Sequence, residues 1–247
     1  MELFNNKKAV VKFKLKNSDR FLLAFNRITQ TLRRIVKAKE YMPFYRLVDL
    51  AKKKSPLVKK YEDELRSFAD LRNAIVHHRT SQEFVIAEPH TKIVERIEYI
   101  DELLARPRLV GQVFRKKVVS FQTTDSLKNV LNIIQERKYT QFPIYDGRDF
   151  RGLITTTGIT NWLAEATNTQ MPLYEMPKLD DILSYEKNRG NYKFISRYMT
   201  IYHAKELFKQ GVERGKRYEA LLITENGRPH QRLIGIITPL DLMKVQE

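Results

Sequence analysis

The 247-residue chain has no cysteine. That excludes disulfide bonds, thiolate zinc sites and a cysteine nucleophile. Glycine and proline number only 9 each, and no low-complexity tract appears. No apolar run approaches the roughly 18–20 residues of a membrane helix. The lysine-bearing N-terminus lacks the apolar core of a signal peptide. A cytoplasmic protein without a membrane partner is therefore expected. The five histidines, at 77, 78, 90, 203 and 230, show no metal-ligand spacing beyond the adjacent pair. Neighbours on a helix diverge by about 100°, so His77 and His78 cannot share one ion, and no metal site is expected. The phosphate-binding loop G-x-x-x-x-G-K-[ST] and the nucleophile elbow G-x-S-x-G are both missing.

Positive charge is abundant. Against 29 acidic residues stand 45 lysines and arginines, a net charge of +16. Such a field attracts polyanions such as RNA. The excess is uneven: residues 1–60 carry 17 basic and 4 acidic side chains, residues 61–108 carry 7 and 10, and the remainder carries 21 and 15.

Hydrophobic spacing divides the chain in two. Val10–Lys16 alternates apolar and lysine residues, as an edge strand does. Asn17-Ser18-Asp19 offers N-cap candidates, and Phe21, Phe25, Ile28, Leu32 and Ile35 follow at helical steps. Arg20, Arg27 and Arg34 recur every seven residues beside that apolar face, which makes them candidates for an RNA-backbone rail. A short helix around Phe44–Ala51 follows. Ser55-Pro56 then opens a long helix running to about His78. Gln82–Ala87 is β-prone. Thr91–Ala105 is helical, with Ile93, Ile97, Ile100 and Leu104 inward, and Pro107 ends it. Residues 1–106 thus form a helical domain.

Within the long helix lies Phe68–Arg79, FADLRNAIVHHR. Leu65, Phe68, Leu71 and Ile75 make an apolar stripe. Asn73 and His77, four apart, share another face, and the flexible Arg72 reaches the same spot. A permanent cation beside a group that titrates near neutrality suits phosphodiester chemistry. Arg72-Asn73-Ala74-Ile75-Val76-His77 resembles the R-N-x-x-x-H motif of the HEPN superfamily of helical domains, many of which are dimeric, metal-independent endoribonucleases. The resemblance implies that Arg72 holds the scissile phosphate, His77 moves the proton and Asn73 orients the pair, with no catalytic cofactor.

The second half repeats itself. Val110–Phe114 is echoed by Leu179–Leu183, and Gly152-Leu153-Ile154-Thr155 by Gly235-Ile236-Ile237-Thr238, 83 residues on. Each copy reads as a short apolar strand, a helix, two strands with a turn at Asp146-Gly147 or Asn226-Gly227, then a helix opening at the threonine. Half-units of this kind must pack on each other.

This arrangement resembles a tandem CBS (cystathionine-β-synthase-type) pair, with a first repeat at 109–165, a connecting segment at 166–178 and a second repeat at 179–247. The resemblance implies sensing of an adenine nucleotide or a related adenosyl ligand. The family's T-x-x-D motif places a threonine on phosphate and an aspartate on ribose hydroxyls. Thr238-Pro239-Leu240-Asp241 fits it. Thr155-Thr156-Thr157-Gly158 carries glycine where the acid belongs. One competent site is expected at Thr238 and Asp241, with Ala220 (in place of a family proline) and Ile195 lining it, and a weaker or empty one at Thr155.

The fold class expected is α+β, a HEPN-like helical bundle followed by an α/β CBS pair. The expected function is ligand control of a ribonuclease in a homodimer or larger homo-oligomer. A non-catalytic sensor, whose helical domain serves dimerisation or partner docking, is the alternative.

Overall fold

A computed structural model describes residues 15–77, 88–169 and 176–245. The chain divides into two compact units at Pro107–Arg108. The expected N-terminal strand falls almost wholly outside the described residues, as do His78 and Gln82–Ala87.

The first unit is helical: α1 (Asn17–Val36), α2 (Phe44–Ala51), α3 (Pro56–Lys60), α4 (Glu62–His77) and α5 (Thr91–Ala105). Phe21, Phe25, Ile28 and Leu32 of α1 are buried together with Leu47 and Val48 of α2, Leu65, Phe68 and Ile75 of α4, and Ile97 and Ile100 of α5. The helix expected from Pro56 to His78 breaks at Tyr61, whose ψ of 18° leaves the helical range. That ring is buried, with Arg96 stacked over it. Ile93 is exposed rather than inward, because the buried stripe of α5 runs through Val94, Ile97, Asp101 and Leu104. The start of α1 is not capped by its own Asn17-Ser18-Asp19 either. The Ser18 N–H donates to Glu88 Oε1, and the Asn17 amide donates to Pro89 O and to Thr91 Oγ1 at the start of α5.

The second unit holds two copies of one motif. The first comprises α6 (Val110–Val113), β1 (Phe121–Gln122), α7 (Leu127–Arg137), β2 (Gln141–Asp146), β3 (Asp149–Thr155) and α8 (Thr156–Asn168). The second comprises α9 (Leu179–Leu183), β4 (Tyr192–Ser196), α10 (Ile201–Glu213), β5 (Ala220–Thr224), β6 (Gly235–Ile237) and α11 (Pro239–Met243). Each copy makes a three-stranded sheet in sequence order. Its first two strands are parallel and its last two antiparallel.

The opening segments of the repeat are short helices, and each packs on the other copy. Leu179 and Ile182 of α9 join Leu127, Val130, Phe142 and Ile144 of the first copy. Val110 of α6 joins Ile195, Ile201, Leu221 and Ile237 of the second. The exchange explains the glycine of the repeat: a Cβ on Gly235 would lie 2.2 Å from the Phe114 carbonyl oxygen, just after α6. Between the sheets, Leu153, Ala220 and Leu222 are buried against Phe150, Tyr192 and Phe194. The Phe150 ring meets those of Tyr192 and Phe194 edge-on at 4.9 Å. Neither copy could bury its apolar face alone, so the pair folds as one body.

Candidate functional site

At the end of β6 the chain turns into α11. The Thr238 N–H and Oγ1–H both donate to Asp241 Oδ2, at 2.8 and 2.9 Å, and the Asp241 N–H returns to Thr238 Oγ1 at 3.3 Å. This closed box holds the carboxylate in one orientation while Oδ1 takes no part in it. Both residues are partly exposed. A fixed carboxylate with a spare oxygen is suited to accept the hydroxyls of a ribose.

The first copy makes the same box with a different acid. Thr155 N–H and Oγ1–H donate to Glu186 Oε1, at 2.5 and 3.0 Å. Glu186 lies 31 residues further on, between α9 and β4. Its Oε2 accepts from the Asn191 amide at 3.2 Å. One oxygen therefore receives the two donors that Asp241 receives in the second copy, and the other is occupied as well. Glu186, Thr155 and Asn191 are buried. Gly158 is what admits the intruding side chain, since a Cβ there would lie 2.1 Å from Glu186 Oε1. Burial raises the Glu186 carboxyl above the ordinary glutamate range, and the hydrogen bonds from Thr155 offset part of that rise. A cavity of only about 220 Å³ remains beside it, below the roughly 300 Å³ at which small-molecule pockets begin.

Of the residues expected to line the site, Ile195 packs inside the second copy's core and Ala220 is wholly buried between the sheets. Thr155, the third, spends its hydroxyl on Glu186. Glu186 and Asn191 were not foreseen. The signal was the missing acid at position 158, which leaves a threonine N-cap in want of a carboxylate.

In the helical unit, Arg72 Nη1 donates to Asn73 Oδ1 at 3.3 Å, and no carboxylate pairs with Arg72 among the described residues. The side chain of His77 lies outside the described residues. The arginines of the expected rail are engaged elsewhere. Arg20 pairs with Glu98 of α5 through Nε and Nη2, and Arg27 with the buried Asp101 of α5. Arg34 Nη2 donates to Thr31 Oγ1. Two of the three thus tie α1 to α5 through carboxylates.

Residues 110–165 and 187–247 match the model of the CBS domain family. The second unit is a tandem CBS pair. Solved CBS structures are similar to part of the chain. The CBS domain of a putative transporter from Clostridium difficile 630 is 16% identical, covers 56% of this chain and 92% of its own, and superposes with a TM-score of 0.38. CBSX2 in complex with AMP is 15% identical, covers 56% and 94%, and gives 0.41. The CBS pair of protein MJ0100, in complex with 5′-methylthioadenosine and S-adenosyl-L-methionine, is 15% identical, covers 56% and 95%, and gives 0.38. Comparison with curated proteins returned no match. Among the described residues, no helix is long and apolar enough to cross a membrane.

Proposed function

We propose that the protein is a regulatory sensor whose CBS pair binds one adenosyl ligand per chain, at Thr238 and Asp241. The observation that carries this is the contrast between the two boxes. Asp241 keeps an oxygen free at a partly exposed position, whereas Glu186 fills the matching place in the first copy. Calorimetric titration with AMP and with S-adenosyl-L-methionine tests it. Wild type should bind one equivalent, and Asp241→Ala should bind none. Two equivalents, or undiminished binding by Asp241→Ala, would overturn the assignment.

The helical unit is the partner that ligand occupancy would control. An Arg72 without a carboxylate partner among the described residues, held by Asn73 one turn from His77, supports a metal-independent endoribonuclease of the HEPN kind, in which Arg72 binds the phosphate and His77 transfers the proton. The test is cleavage of labelled single-stranded RNA in EDTA, by wild type and His77→Ala, with and without AMP. Cleavage by wild type alone supports the nuclease reading. A lack of cleavage under every condition would leave the helical unit a dimerisation or docking module.

A further inference from the structure

A second site lies apart from Thr238 and Asp241, at the hairpin end of the CBS pair. A cleft of about 1090 Å³ opens there, walled by four stretches far apart in sequence. The segment after α6 contributes Arg115, Lys116 and Lys117. The β2–β3 turn contributes Arg148. Arg197 after β4 and Arg232 before β6 complete the wall. Glu225 is the one carboxylate among the lining residues. It is held by Arg197 at 3.1 Å and by the Tyr198 hydroxyl at 2.8 Å, which keep it below the ordinary glutamate range and hence ionised. The other five cations have no carboxylate partner among the described residues. Their charges repel one another, and only an anion or solvent can compensate them.

The backbone around them is fixed. Lys116 N–H donates to Ile234 O at 3.1 Å. Gln122 Oε1 accepts from the Gly147 N–H at 2.9 Å, and Gln231 Oε1 accepts from the Asn226 N–H at 2.8 Å. A rigid concave frame carrying long, unpaired cationic side chains is suited to a flexible chain of anionic groups. The half-buried Tyr145 ring forms part of the floor. We infer that this cleft binds an oligophosphate, either inorganic or as the tail of a nucleotide. Several phosphates in a row match cations contributed by separate walls, and a single phosphate would meet only a fraction of them.

Calorimetry on the full chain tests the inference, with tripolyphosphate, ATP, AMP, orthophosphate and a single-stranded RNA as titrants. Tripolyphosphate should bind far more tightly than orthophosphate and weaken steeply with added salt. The variant Lys117→Gln/Arg148→Gln/Arg232→Gln should lose at least tenfold in tripolyphosphate affinity while binding AMP as wild type does. Asp241→Ala should show the reverse pattern, which separates failure of this site from failure of the ligand site. Equal affinities for ATP and tripolyphosphate assign the cleft to the phosphate chain alone. Tighter ATP binding, with the excess removed by Tyr145→Ala, assigns it to a nucleotide tail. Undetectable tripolyphosphate binding, undiminished binding by the triple variant, or RNA binding that grows with length and displaces tripolyphosphate would each overturn the inference.

Discussion

Glu186 both fills the first copy's site and accepts the hydrogen bonds of Thr155, the N-cap of α8. Replacing it by alanine would remove the acceptor of Thr155 N–H and Oγ1–H and of the Asn191 amide. A buried donor left without a partner costs about 1–3 kcal/mol. The existing 220 Å³ cavity alongside would let water reach the group, so the loss should fall near the lower end, about 1–2 kcal/mol in all. Glu186→Gln keeps an acceptor at Oε1. Its new amide faces Asn191, whose Oδ1 has no partner among the described residues, so a flip of Asn191 accepts from it at the loss of the long 3.4 Å bond to Leu153 O. This variant should lie within about 1 kcal/mol of wild type at neutral pH.

The two variants also differ from wild type in pH dependence. Burial raises the folded-state carboxyl above its unfolded value, so the native state binds the proton more tightly. The stabilisation linked to that proton is complete below the unfolded pKa and disappears as pH rises through the folded one. Wild type should therefore gain on Glu186→Gln as pH falls from neutrality into the glutamate range. Urea unfolding between about pH 4 and 7 measures this. Trp162 is buried in the same cluster as the first copy's strands and reports the transition. An unchanged stability in Glu186→Ala, or a wild-type pH profile in Glu186→Gln, would refute the assignment.

Gly158→Asp should destabilise by more than about 2 kcal/mol, from overpacking and from a second carboxylate against Glu186, and chemical denaturation reads this directly. Combining Gly158→Asp with Glu186→Ala should recover stability and raise ligand stoichiometry from one to two, measured by titration with AMP. Asp241→Ala should cost only about 0.5–2 kcal/mol, the value of a lost cap, while abolishing ligand binding. Arg27→Ala leaves the buried Asp101 carboxylate unpaired and should cost about 2 kcal/mol, whereas Arg34→Ala should cost little; thermal melts of both variants test whether Arg27 holds α1 to α5.

Local pattern sufficed for much of this protein. Periods of 3.6 and 2 reveal which side of each element seeks the core, and the helices of the first unit, apart from the break at Tyr61, and the paired hairpins of the second follow them. The repeated G-φ-φ-T, with an acid at 241 and none at 158, already marked one copy as able to make the threonine–aspartate box alone. Three matters rested on contacts between distant residues, which local periodicity does not encode. The opening helices α6 and α9 exchange partners between the copies. Glu186 travels from the second copy's entry segment to replace the acid that the first lacks. The arginines at 20 and 27, solvent-facing by spacing, meet carboxylates of α5 some 75 residues away. Charge and burial act through space, so a cation reads as free in the sequence until the fold decides whether a carboxylate stands opposite. It does for Arg20 and Arg27, and among the described residues it does not for Arg115, Lys116, Lys117, Arg148 and Arg232.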